Sequence, residues 1–151
     1  MTETIMTETA MTETILVINA GSSSIKFQLF DAADGTLPVR LRGRIEGIGT
    51  TPRLVVQDGS QDGGVPLPAE SGDGVPGALA FLGAWLRERL GGAMPVAVGH
   101  RVVHGGPAYD THVAVDDAVI GTLETYVPLA PLHQPNNLAP IRTIRKLLPD
   151  V

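Results

Sequence analysis

Four consecutive apolar residues, Ile15, Leu16, Val17 and Ile18, precede a stretch in which Ile25, Phe27 and Leu29 alternate with Lys26 and Gln28. The first run predicts a strand buried on both faces, and the alternation predicts a half-buried strand. With Gly21-Ser22-Ser23-Ser24 between them, residues 15–30 read as a β-hairpin. Residues 39–47 predict a third strand, in which charged positions separate Leu41 from Ile45, and residues 54–57 predict a fourth. Residues 58–77 are rich in Gly, Asp, Ser and Pro and read as a loop with a brief strand at 65–67.

The pattern then changes to a helical period. Leu79, Leu82, Trp85, Leu86 and Leu90 follow Pro76, a favourable first helical residue, and Gly91-Gly92 ends the run. Phe81 and Trp85, four apart, read as part of a core-facing stripe rather than a base-stacking surface. Residues 95–98 predict another buried strand ending at Gly99. Asp116 predicts the N-cap of a helix carrying Val119, Ile120, Leu123 and Tyr126, which Pro128 stops. After a loop at 129–135, residues 136–148 predict a last helix with Leu138, Ile141, Ile144, Leu147 and Leu148 on one side and Arg142, Arg145 and Lys146 on the other. Residues 149–151, a proline followed by an acid and an apolar residue, read as the entry to a further strand.

The 151 residues, 43% of them apolar, suffice for one core, and the 18 Gly and 12 Pro predict many turns without low complexity. A net charge of −5, with arginines that are scattered or set beside acidic residues, gives no basic field for nucleic acid. The absence of cysteine removes disulfides and thiolate chemistry and fits a reducing compartment, so the cytoplasm is the expected location. No apolar run reaches the ~18 residues of a spanning helix and no signal peptide is evident, so no membrane association is expected. Residues 1–15 repeat Met-Thr-Glu-Thr-Ile/Ala three times. So short a polar repeat cannot bury a core, so residues 1–13 are expected to be a disordered extension and residues 14–151 the folded domain.

The hairpin turn concentrates anion-binding chemistry. Three serines offer hydroxyls and N–H groups within one turn, Asn19 places an amide at the strand end, Lys26 adds charge, and Gly21 is expected to permit the turn. It is not a P-loop, which requires glycine directly before the lysine, Ser or Thr directly after it, and a following helix; Ile25 and Phe27 occupy those positions here. His100, His104, His112 and Asp110 invite a zinc reading, but nothing marks the three or four ligands of such a site. The histidines are read instead as orienting the segment around Arg101 and the Gly105-Gly106 turn.

Asn19-Ala-Gly-Ser-Ser-Ser-Ile-Lys26, Gly99-His-Arg-Val-Val-His-Gly-Gly106 and Pro128-Leu-Ala-Pro-Leu-His133 occur in this order. Together they resemble the acetate and propionate kinase family, from about Ile15 to the last residue. The resemblance implies an α/β fold: the N-terminal lobe of the actin-like ATPase and sugar kinase (ribonuclease H-like) fold, a mixed sheet with helices on its faces. It implies reversible phosphoryl transfer from ATP to acetate with Mg2+, or Mn2+ in its place, giving acetyl phosphate and ADP. Propionate kinase and a non-catalytic truncated phosphate-binding domain are the alternatives.

By the same resemblance, Ser22, Ser24 and Lys26 bind ATP phosphates and Asn19 helps to hold the metal. Arg101 binds the acyl carboxylate, a role that suits a planar guanidinium. Val103, expected on the same strand face as Arg101, and Leu132 contain the alkyl group. His133 stabilises charge on the moving phosphoryl group. The family's next residue is usually Asn, whereas Gln134 stands here, a longer amide expected to shift the loop. In the family the catalytic aspartate, the second lobe and the main interface of a homodimer lie beyond the position of Val151, so this chain alone is expected to be inactive.

Overall fold

The computed structural model describes residues 13–57, 64–69 and 74–151. The hairpin forms as its pattern predicts: β1 (Thr14–Ala20) pairs antiparallel with β2 (Ile25–Asp31), placing Asn19 opposite Lys26 and Ile18 opposite Phe27. β3 (Val39–Glu46) and β4 (Arg53–Val56) extend the sheet antiparallel, and β5 (Val65–Pro66) adds a short edge. Helix α1 (Gly74–Arg89) then carries the chain back so that β6 (Ala97–His100) lies parallel to β1. Among the described residues the strand order is β5-β4-β3-β2-β1-β6, the mixed sheet expected of the fold. The repeat at 1–12 and much of the loop expected at 58–77 lie outside the described residues.

Two expectations are corrected. β1 is buried on one face only: Leu16, Ile18 and Ala20 are buried while Val17 is 38% exposed. β6 is the sheet's edge, with Ala97 exposed and the residues after it half-buried, and it begins at Ala97 rather than at 95. The exposure on the outer side of β1 follows from where the core lies. Leu16, Ile18, Ile25, Phe27, Leu29, Leu41, Ile45 and Leu54 form one core with Leu79, Leu82 and Leu86 of α1, so the apolar covering lies on a single face. Among the described residues the opposite face stays open.

On the core face the Phe27 ring lies across Gly43, where a Cβ would come within 2.5 Å of the ring. Glycine at the centre of β3 therefore makes room for an aromatic side chain from its neighbour. Phe81 and Trp85 are half-buried against this core, as a core-facing stripe requires, and the Arg89 guanidinium lies 4.9 Å from the Trp85 ring centroid.

α2 (Asp117–Thr125) is capped by Asp116, whose carboxylate accepts the Val119 N–H at 2.8 Å. A 3-10 turn (Val127–Leu129) follows and contains Pro128. α3 (Gln134–Leu147) starts two residues earlier than its hydrophobic period predicts, because its first turn is polar. Pro140 lies buried inside it, flanked by buried Leu138 and Ile141; packing overrides the missing N–H of the ring. Leu138 and Ile141 join Val119, Ile120 and Leu123 of α2 in a second core, while Ile144 joins the first. α3 thus links both cores.

Candidate active site

At the end of β1 the chain turns through residues 21–24, closed by the Gly21 N–H donating to the Ser24 carbonyl at 2.8 Å. Gly21 does not adopt a positive φ, and a Cβ there would lie 3.8 Å from the nearest heavy atom, the Ser24 carbonyl oxygen. Contrary to expectation, the turn itself does not require glycine. Ser22 is exposed and Ser24 half-buried. The Ser23 carbonyl accepts the Ile48 N–H at 3.0 Å, which ties the turn to the start of the β3–β4 connection.

Asn19 and Lys26 are directly paired across the hairpin, so both project from the open face. Arg101 follows β6 with its backbone N–H on the Ile18 carbonyl at 3.1 Å. These three side chains line one hollow of about 740 Å³ with Gln28, Arg42, Arg44 and Gln57. Among the described residues no carboxylate lines it.

Arg42 and Arg44 are the residues that the sequence reading missed. Arg42 and Arg44 alternate along β3 and share its open face, with Arg44 opposite Lys26, while Arg40 stands at an irregularity in the pairing of β3 with β2. Arg40 pairs with Asp31 at 3.3 Å and Arg44 with Glu46 at 2.7 Å, as acidic neighbours suggested. Arg42 has no ion pair among the described residues. Its period-two relation to Arg44, extended through Lys26, was the available signal; the sheet makes a local basic surface in an acidic chain.

The remaining predicted residues lie outside the hollow. β6 ends at His100, so Val103 does not share a strand face with Arg101. Val103 is 47% exposed and Leu132 78% exposed, and the two form no closed apolar pocket. His133 is exposed at the N-cap of α3, its side chain making no capping bond. Gln134, the longer amide expected to shift the loop, instead opens the helix and is fully buried, its amide donating to the carbonyls of His104 (3.0 Å) and Leu123 (3.2 Å). Its Oε1 has no hydrogen-bond partner among the described residues.

Two histidines shape the segment around Arg101. His104 Nδ1 accepts the Gly106 N–H at 2.7 Å and so holds the glycine turn, the orienting role read for it. His100 is half-buried, and burial pushes its pKa down from 6.5 to about 4, leaving a neutral imidazole at neutral pH. Among the described residues no three His, Cys, Asp or Glu side chains gather as a metal site.

The family model of the acetokinase family matches residues 14–151. An acetate kinase of Nitrobacter hamburgensis is 51% identical over 136 residues, covering 86% of this chain and 33% of the relative. One of Rhizobium meliloti is 48% identical over 139 residues, covering 91% and 35%. The chain therefore spans about a third of the length of the curated relatives it matches.

Among solved structures, a propionate kinase of Francisella tularensis superposes with a TM-score of 0.81 at 29% identity, covering 92% of this chain and 35% of that one. Porphyromonas gingivalis acetate kinase gives 0.75 at 33% identity, covering 91% and 35%. With the motifs, the mixed sheet and the family match all in agreement, the chain belongs to the acetokinase family.

Proposed function

We propose that this chain is the N-terminal lobe of an acetate kinase, which transfers the γ-phosphoryl group of ATP reversibly to acetate. The convergence of Asn19, Lys26 and Arg101, from three separate segments, on one polar hollow carries this reading. In the reaction a carboxylate oxygen of acetate bonds to the γ-phosphorus while the bond from that phosphorus to the β–γ bridging oxygen breaks. The electron pair leaves with ADP. No carbon bond changes, so the protein's task is alignment of two anions and neutralisation of charge.

The serine turn supplies hydroxyls and N–H groups for phosphate oxygens. Lys26 adds a positive charge beside it, and Arg101 receives the acyl carboxylate in a bidentate pair. Val103 and Leu132 face the alkyl group, and His133 faces the moving phosphoryl group. Asn19 offers one amide oxygen in a hollow that no carboxylate lines among the described residues, a donor set that fits Mg2+ only when phosphate and water oxygens complete it. The bound metal would supply charge neutralisation on the phosphates.

Propionate kinase is the second reading, supported by the Francisella tularensis structure and by the open surroundings of Val103 and Leu132. A methylene in an apolar pocket changes discrimination by only ~1–3 kcal/mol. The cytoplasm is the location we propose, supported by the lack of cysteine; among the described residues no helix is long and apolar enough to cross a membrane. The full-length enzyme is proposed to be a homodimer.

A coupled assay of acetyl phosphate formation tests the reading. The chain alone is expected to be silent and to gain activity with the separately expressed second lobe of a relative, and Lys26→Ala or Arg101→Ala is expected to abolish that gain. ATP- and acetate-dependent acetyl phosphate from the chain alone would overturn its inactivity. Silence in the mixture, with both parts folded by circular dichroism, would favour a non-catalytic phosphate-binding domain.

A further inference from the structure

Asn137 does not line the hollow, yet its side chain reaches both halves of the site. From the first turn of α3 its Oδ1 accepts the Val103 N–H at 2.8 Å, and its Nδ2 donates to the Ala20 carbonyl at 3.1 Å. Ala20 is the last residue of β1, immediately before the serine turn, and Val103 lies two residues beyond Arg101. One half-buried amide therefore bridges the two segments.

The chemistry fixes which atom faces which. A backbone N–H needs an oxygen and a carbonyl needs a donor, so the amide fits in one orientation only. Aspartate of the same shape keeps an acceptor for Val103 but sets an oxygen against the Ala20 carbonyl. Alanine keeps neither bond.

We propose that Asn137 is a positioning residue that sets the separation between the phosphate-binding turn and the Arg101–Val103 segment. The proposal rests on the phosphoryl-transfer reading of the site. For a transfer that depends on aligning two anions, a tie between the segments that hold them acts on the reaction without touching either substrate. Gln134, in the same turn of α3, likewise reaches a distant segment through the His104 carbonyl, whereas the Asn136 Nδ2 donates locally to the Leu132 carbonyl at 3.0 Å.

The test is amide hydrogen exchange and 1H–15N NMR on the whole chain and on Asn137→Asp and Asn137→Ala, with acetyl phosphate as the probe ligand. In Asn137→Asp, the signals of residues 21–24 are expected to move while slow exchange at Val103 persists. In Asn137→Ala, those signals are expected to move and Val103 exchange to accelerate roughly tenfold, the ordinary worth of one hydrogen bond. Exchange at Leu16, Ile18 and Leu82 is expected to stay unchanged in both.

Turn signals that do not move, or acceleration shared equally by Leu16, Ile18 and Leu82, would overturn the proposal. The first result means that the side chain ties nothing, the second that it supports only overall stability. If Asn137→Ala does not fold, the selective pattern in Asn137→Asp decides. A parent chain whose Lys26 and Arg101 signals ignore acetyl phosphate counts against the functional reading, while the exchange pattern still decides the tie. Equal affinity of parent and both variants for acetyl phosphate would sink the positioning role.

Discussion

Replacing His100 by glutamine should flatten the acid side of the chain's stability profile. The imidazole stands at the end of β6, where it borders a cavity shared with Tyr109, Asp110 and His112, and burial lowers its pKa from 6.5 to about 4. Above pH 6.5 the group is neutral in both folded and unfolded chains, and the stability associated with its neutral burial is fully present. As the pH falls from 6.5 towards 4, the unfolded chain takes up a proton that the folded chain refuses, so stability declines by up to ~1.36 kcal/mol per pH unit. The loss reaches about 2 kcal/mol at pH 5 and levels off below pH 4, near 3 kcal/mol at most.

Urea unfolding followed by circular dichroism from pH 7.5 to 4.5, on the parent and on His100→Gln, measures the effect. Ordinary carboxylates contribute equally to both profiles and cancel in the difference. Asp34, whose pKa the Thr36 hydroxyl and N–H lower, loses its contribution only as the pH falls from about 3.8 through its lower folded value, outside the window. Parallel profiles for the two proteins, or an NMR titration of His100 centred near 6.5, would refute the reasoning.

Asp116→Ala removes the acceptor of the Val119 N–H and should cost about 1 kcal/mol, read as a lower urea midpoint with an unchanged slope. Gly106 sits at φ +60, and a Cβ there would meet the Tyr126 ring at 2.5 Å, so Gly106→Ala should cost ~1–3 kcal/mol in the same assay and shift the Tyr126 near-ultraviolet signal. On the proposed phosphate-binding reading of the hollow, Arg42→Ala should weaken ADP binding severalfold at low salt and by less at high salt, in calorimetric titrations at two ionic strengths, because it removes one of the four cations that line the hollow among the described residues. Equal loss at both salts would mean that Arg42 acts through packing instead.

The parts legible in the sequence were those set by local period. The hairpin, α1 and the apolar stripe of α3 followed from alternation and helical spacing, and the N-cap from one aspartate before an apolar run. The edge position of β6 was not legible, because four apolar residues look alike whether the sheet continues past them or not. Arg42 was hidden by its neighbours: Asp31 and Glu46 do pair with Arg40 and Arg44, which made the whole series look neutralised. Only the pairing of β3 with β2 puts Arg42 and Lys26 on one surface.

The polar start of α3 was the hardest segment to read, and its residues explain why. Gln134, Asn136 and Asn137 look like loop composition, since their side chains normally compete with helical hydrogen bonding. Here their amides turn instead to backbone carbonyls or N–H groups: two of the three reach His104, Val103 and Ala20, far away in sequence. Those partners lie in irregular segments or at a strand end, where peptide groups lack regular partners and burial makes an unpaired group costly. A helix whose apolar stripe joins two cores offers a fixed base for such bonds. The same immobility that lets Leu138 and Ile141 pack also gives the amides one turn earlier a defined reach. Precision in the separation of Ala20 from Val103 therefore derives from the packing of α3, and loosening α3 from its core should disturb the site before it unfolds the sheet.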